Sequence, residues 1–119
     1  MEKRINISNY IKNGLTENNG LIIREKIEQA LKELNEGDTI VLNFNGISLF
    51  ATPFFNSSIG YFLLKLGPKK FDEVIQLENI SDLGQNNYQH SYENAVEIYT
   101  KKTDTDMIGK ITKNNIQNS

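Results

Sequence analysis

The chain has 119 residues, 13 basic and 15 acidic side chains, a formal net charge of −2 and no cysteine. A single domain of this length buries a core without disulfides or metal, and the lack of cysteine excludes thiol catalysis, thiolate metal sites and thiol redox chemistry. A pI of about 5.4 leaves no basic footprint for nucleic acid, and no apolar run approaches the roughly 20 residues of a membrane helix.

The charged start MEKRINISNYIKNG has no apolar stretch behind it and does not read as a signal peptide. The expected setting is the cytoplasm. Arg4-Ile5-Asn6-Ile7-Ser8 alternates apolar and polar residues, the pattern of a first strand. Asn13 to Gly20 is rich in turn residues. The stretch from Leu21 to Glu36 places Ile23, Ile27, Ala30, Leu31 and Leu34 on one helical stripe. Asn18 or Asn19 is expected to cap that helix, and Gly37 to end it. Asp38 to Phe44, DTIVLNF, is apolar and β-branched enough for a strand buried in a sheet.

Pro53 to Leu66, PFFNSSIGYFLLKL, reads as one second helix. Thr52 stands at its cap and Pro53 at its first position, with Gly67 and Pro68 past its end. Lys69 to Glu73 reads as a short polar link, Val74 to Leu77 as a third strand, and Asn79 to Asn87 as a loop. A third helix is expected from Tyr88 to Lys101, since Tyr88, Tyr92, Ala95, Val96 and Tyr99 share a face. Residues 103–119 read as a polar tail or a weak extra element. Strands alternating with helices predict an α/β domain with a mixed or mostly parallel sheet, its helices packed against it.

The loop from Asn45 to Thr52 leaves the carboxyl end of a central strand, where ligands and partners engage such sheets. Thr52 has two readings there: a helix cap worth about 1 kcal/mol, and a phospho-acceptor whose modification adds negative charge to a contact surface. Phe50 and Phe54 have two readings, buried core residues or aromatic anchors for a partner, and Ser48 and Ser57 complete the candidate contact surface. Other chemistry finds little footing. His90 sits near Ser91 and Glu93, but nothing places Ser91 in a strained elbow, so His90 reads as a surface residue of the last helix. The acidic pairs Asp72-Glu73 and Asp104/Asp106 lack the spacing of a calcium loop, and the glycines are too scattered for a phosphate loop. Neither a metal nor a cofactor is expected.

A buried strand, a short loop ending in a hydroxyl and a small-residue helix together resemble the STAS fold of anti-sigma-factor antagonists. The chain most resembles the STAS-like family of unknown function found in bacteria and archaea. The resemblance is carried by Arg24-Glu25, by Val41-Leu42-Asn43-Phe44-Asn45-Gly46-Ile47, and by Ala51-Thr52-Pro53-Phe54-Phe55-Asn56 leading into Ser58-Ile59-Gly60. It covers roughly Arg4 to Tyr99 and implies a STAS-like domain over residues 1–102. STAS antagonists carry an Asp-Ser pair at this turn, and a histidine-kinase-like ATPase phosphorylates the Ser. Here Ala51 and Thr52 match that pair, so the acid is absent and threonine replaces serine.

The function expected on these grounds is a non-enzymatic regulatory module that docks a protein partner through residues 45–62. The resemblance implies a histidine-kinase-like ATPase as that partner. Two alternatives stay open: a nucleotide- or ligand-binding protein or enzyme using the same strand-end pocket, and a self-associating domain that pairs as a homodimer.

Overall fold

The computed structural model describes residues 1–118, with the side chains of residues 1–102. The elements run β1 (Glu2–Asn6), a 3-10 turn (Ile7–Asn9), α1 (Glu17–Lys32), β2 (Thr39–Asn43), α2 (Thr52–Ser57), α3 (Ile59–Leu66), α4 (Pro68–Val74), β3 (Ile75–Glu78) and α5 (Asp82–Asn118). The strands form one parallel sheet in the order β1-β2-β3. The architecture is α/β, as expected. The expectation of a polar tail over 103–119 falls outside the residues with described side chains.

Both crossovers step the same way across the sheet, from β1 to β2 and from β2 to β3. Right-handed crossovers that never reverse direction lay their helices on one face. The burial follows that rule. Ile5, Ile40, Leu42, Ile75 and Leu77 point to the helices and join a single core with Ile23, Ile27, Phe55, Ile59, Phe62, Phe71 and Ala95. The register puts Arg4, Val41 and Gln76 together on the other face, with Asn6, Asn43 and Glu78 one repeat further along. That face is polar. Arg4 pairs with Glu78 and, at 3.4 Å, with Glu2, and the chain of carboxamides Asn79 to Asn43 (2.8 Å) and Asn43 to Asn6 (3.0 Å) crosses the strand ends. Only Val41 is buried there, at 3 % exposure.

Several boundaries differ from expectation. Strand β1 begins at Glu2 and gives way to the 3-10 turn at Ile7. Helix α1 starts at Glu17, because Thr16 is its cap: the Thr16 hydroxyl accepts from the Asn19 N–H at 3.1 Å. Asn18 and Asn19 therefore lie in its first turn. The helix ends at Lys32, and Gly37, at φ +86°, belongs to the turn into β2. The expected second helix is two helices, broken at Ser58, where φ is −99° and ψ −85°. The Ser57 and Ser58 hydroxyls donate to the carbonyls of Pro53 (3.0 Å) and Phe54 (2.7 Å). Such back-bonding bends helices.

The polar link after Pro68 is helix α4, which buries Phe71 and Val74 one turn apart. Gly67, at φ +83°, ends α3 and opens α4. Helix α5 starts at Asp82, not Tyr88, because the Ser81 hydroxyl accepts from the Gly84 N–H at 3.1 Å. It packs on α2 and α3 as an outer layer.

Candidate functional site

The candidate site is the connection from β2 to α3. Phe44 extends the central strand by donating its N–H to the Glu78 carbonyl at 2.9 Å. The Ile47 N–H closes a turn on the Phe44 carbonyl at 3.0 Å, with Gly46 at φ +90°. Among the described non-glycine residues only Asn79 has a positive φ, so Asn45 keeps a negative one. This is the signature of a type II turn, which demands glycine at its third position.

The chain then pairs with the loop before α1. The Gly14 N–H donates to the Leu49 carbonyl at 2.7 Å and the Ala51 N–H to the Gly14 carbonyl at 2.8 Å. Gly14 and Phe50 form this isolated parallel bridge. Side chains alternate across such a ribbon. Phe50 turns inward, whereas Leu49 on one segment and Leu15 on the other turn outward, at 53 % and 39 % exposure.

Phe50 and Phe54 are not surface anchors: both are buried. Phe50 stacks on Phe55 with centroids 5.6 Å apart, and Phe54 meets Phe55 edge-on at 5.1 Å. Gly84 of α5 lies so close to Phe50 that a Cβ there would come within 2.7 Å of the ring. The aromatic run is core because α5 covers it. Burial is one of the two readings the sequence allows for these rings, and the structure takes it.

Thr52 is not the cap. Ala51 occupies the cap position, at φ −148° and ψ 155°, and its carbonyl accepts from the Phe54 N–H at 3.2 Å. Pro53 thus stands second in the helix, where an N–H has no helical acceptor either. The half-buried Thr52 hydroxyl instead faces the Asn87 carboxamide oxygen of α5 at 3.5 Å, the long limit of a hydrogen bond. Asn87 in turn donates to the Leu83 carbonyl at 3.0 Å.

Ser48 is exposed beside Leu49. Ser57 is half-buried and makes a different contact, its hydroxyl lying 3.1 Å from the Glu17 carbonyl of α1. A groove of about 320 Å³ runs there between Glu17, Pro53, Asn56 and Ser57. Behind the site, burial raises the pKa of the Tyr88 phenol, whose ring lies 5.9 Å from Phe55. Burial also raises that of Tyr92, helped by its 2.8 Å bond to Asp72. His90 is exposed on α5. Among the described residues no group of three His, Asp or Glu side chains is placed to hold a metal.

The structure thus brings Ser48 and Thr52 to one connection and sets Ser57 at the α1–α2 crossing. The residues that sequence reasoning missed are the leucines. Leu49, Leu15 and Leu83, the last 53 % exposed in the first turn of α5, are the exposed apolar side chains of these strand-end segments. Leu15 stands among turn residues and Leu49 beside Phe50, so neither stood out as a surface residue. The pairing of Gly14 with Phe50, which turns both outward, is a tertiary contact with no local signal.

No curated protein and no solved structure matches the chain. Residues 19–85, more than half of the sequence, match the STAS-like domain of unknown function. They take in most of α1, β2, the connection and β3, and this chain belongs to that family.

Proposed function

We propose that this domain is a non-enzymatic docking module that binds a regulatory protein through the connection at residues 45–62. The observation that carries the reading is Leu49. A large apolar side chain stands 53 % exposed on a segment whose backbone is hydrogen-bonded on both sides. An apolar side chain on a fixed backbone loses less conformational freedom on binding than one on a loose loop, the economy that makes binding anchors. Leu15 lies on the same side of the ribbon and widens the apolar surface. The likeness to anti-sigma-factor antagonists supports a histidine-kinase-like ATPase as the partner.

The chemistry of the hydroxyls also favours binding over catalysis. Thr52 faces a carboxamide, and Ser57 and Ser58 are held by carbonyls. Among the described residues none of the three meets a His or a carboxylate able to take its proton. A phosphate on Thr52 would lie close to the Asn87 carboxamide oxygen, a poor neighbour for added negative charge.

The test is capture of partners from source-cell extract, with wild type, Leu49→Ser and Thr52→Asp side by side. A partner held by wild type and lost with Leu49→Ser is the expected result. Loss with Thr52→Asp as well makes the surface sensitive to charge at that hydroxyl. A partner held equally by all three proteins places the contact elsewhere and removes this reading.

A further inference from the structure

The sequence holds three Asn-Gly steps, Asn13-Gly14, Asn19-Gly20 and Asn45-Gly46. Glycine lacks the side chain that otherwise screens its backbone nitrogen from the carboxamide before it. Such a step can therefore cyclise: the glycine nitrogen bonds to the asparagine Cγ, its proton leaves, and the Cγ–Nδ2 bond breaks to release ammonia. Water then opens the five-membered imide at either carbonyl, giving aspartate or isoaspartate. Reaction needs a free carboxamide and a free glycine N–H.

The fold denies both to two of the steps. The Gly14 N–H is held by the Leu49 carbonyl at 2.7 Å, and the Gly20 N–H by the Thr16 carbonyl at 3.1 Å. Their asparagines are tied as well. The Asn13 carboxamide oxygen accepts from the Leu15 N–H at 3.1 Å and from Asn19 Nδ2 at 3.2 Å. Asn19 Nδ2 also donates to the Asn13 carbonyl at 3.0 Å.

Asn45-Gly46 is different. Asn45 is exposed, and among the described residues neither its carboxamide nor the Gly46 N–H has a hydrogen-bond partner. The Asn45 backbone N–H is bonded, to Asn43 Oδ1 at 3.1 Å, but that group takes no part in the chemistry. We infer that Asn45 is a site of spontaneous deamidation in the folded protein, and that Asn13 and Asn19 are protected from it. The product places a carboxylate, in part on a backbone lengthened by one carbon, three residues before Ser48. This inference stands independently of the docking reading.

The experiment follows native protein and urea-unfolded protein at mildly alkaline pH, by peptide mapping with fragmentation that separates aspartate from isoaspartate. In urea all three steps convert. In the native protein Asn45 converts and yields both isomers. Asn13 and Asn19 lag by at least about tenfold, the factor set by a local opening of ~1.4 kcal/mol. Asn45→Gln removes the native signal. Conversion of Asn13 or Asn19 as fast as Asn45 in the native protein overturns the inference. So does an Asn45 that stays intact while the unfolded chain reacts.

Discussion

Replacing Gly20 with alanine adds one methyl group where α1 crosses α2. An alanine Cβ at that position would stand 1.8 Å from the Ser57 hydroxyl and 2.6 Å from the Phe54 carbonyl oxygen. The first neighbour can rotate away only by leaving the carbonyls of Glu17, Pro53 and Phe54. The second is backbone, and can retreat only if α2 moves. Two effects compete. Alanine in a helix interior gains about 1 kcal/mol over glycine, whereas forcing a methyl group into a closed contact costs roughly 1–3 kcal/mol. With backbone in the way the cost lies at the upper end, so a net loss of about 1–2 kcal/mol is expected. That lowers the midpoint of thermal unfolding by about 5–10 °C for a domain of this size. Calorimetry of Gly20→Ala, Ser57→Ala and the double variant reads the effect. The double variant is expected to lose less than the sum of the single losses, because removing the hydroxyl clears the shorter contact. A Gly20→Ala protein more stable than wild type, by the propensity gain alone, would refute the close crossing.

Two further predictions separate neighbouring interpretations. Thr16→Ala removes a true cap and costs about 1 kcal/mol, while Thr52→Ala, which removes only a long contact to Asn87, stays within about 0.5 kcal/mol. Urea unfolding of the pair checks this, and equal losses would restore the cap role of Thr52. Alkaline pH supplies the other. Tyr88 and Tyr92 have folded-state pKa values above the ordinary 10.0, so their unfolded phenols ionise first. Stability is then full below about pH 10 and falls as pH rises through the raised folded values. Tyr88→Phe, measured by denaturant midpoint against pH, should flatten that decline, and an unchanged slope would place its cause elsewhere.

How far the sequence could be read depended on how local each signal was. The alternation of strands with helices and the α1 stripe were legible, since Ile23, Ile27 and the apolar run Ile40 to Leu42 carry their periods in the chain itself. The Thr16 cap was missed because the polar residues after it, Asn18 and Asn19, are equally good caps in isolation. Helix α4 had a readable signal in Phe71 and Val74 after Pro68, but the charged residues between them resemble a linker. The break at Ser58 had none, because the apolar pattern runs straight through it. At the candidate site the turn at Asn45-Gly46 was legible as a turn. The fate of Phe50, Phe54 and Leu49 was not, because burial there is decided by Gly14 and Gly84, each more than thirty residues from Phe50 in sequence.

The one-sided sheet also bears on how the protein behaves when crowded. A strand at the rim of a sheet offers unmet N–H and C=O groups to any other strand that arrives, and this is how sheets recruit copies into aggregates. Here the rim strand β1 carries Glu2, Lys3 and Arg4 in succession, and β3 at the opposite rim carries Gln76 and Glu78. A copy approaching edge to edge would have to strip water from these charges. The Arg4–Glu78 pair, which reaches from one rim strand to the other across the open face, keeps charge at both borders.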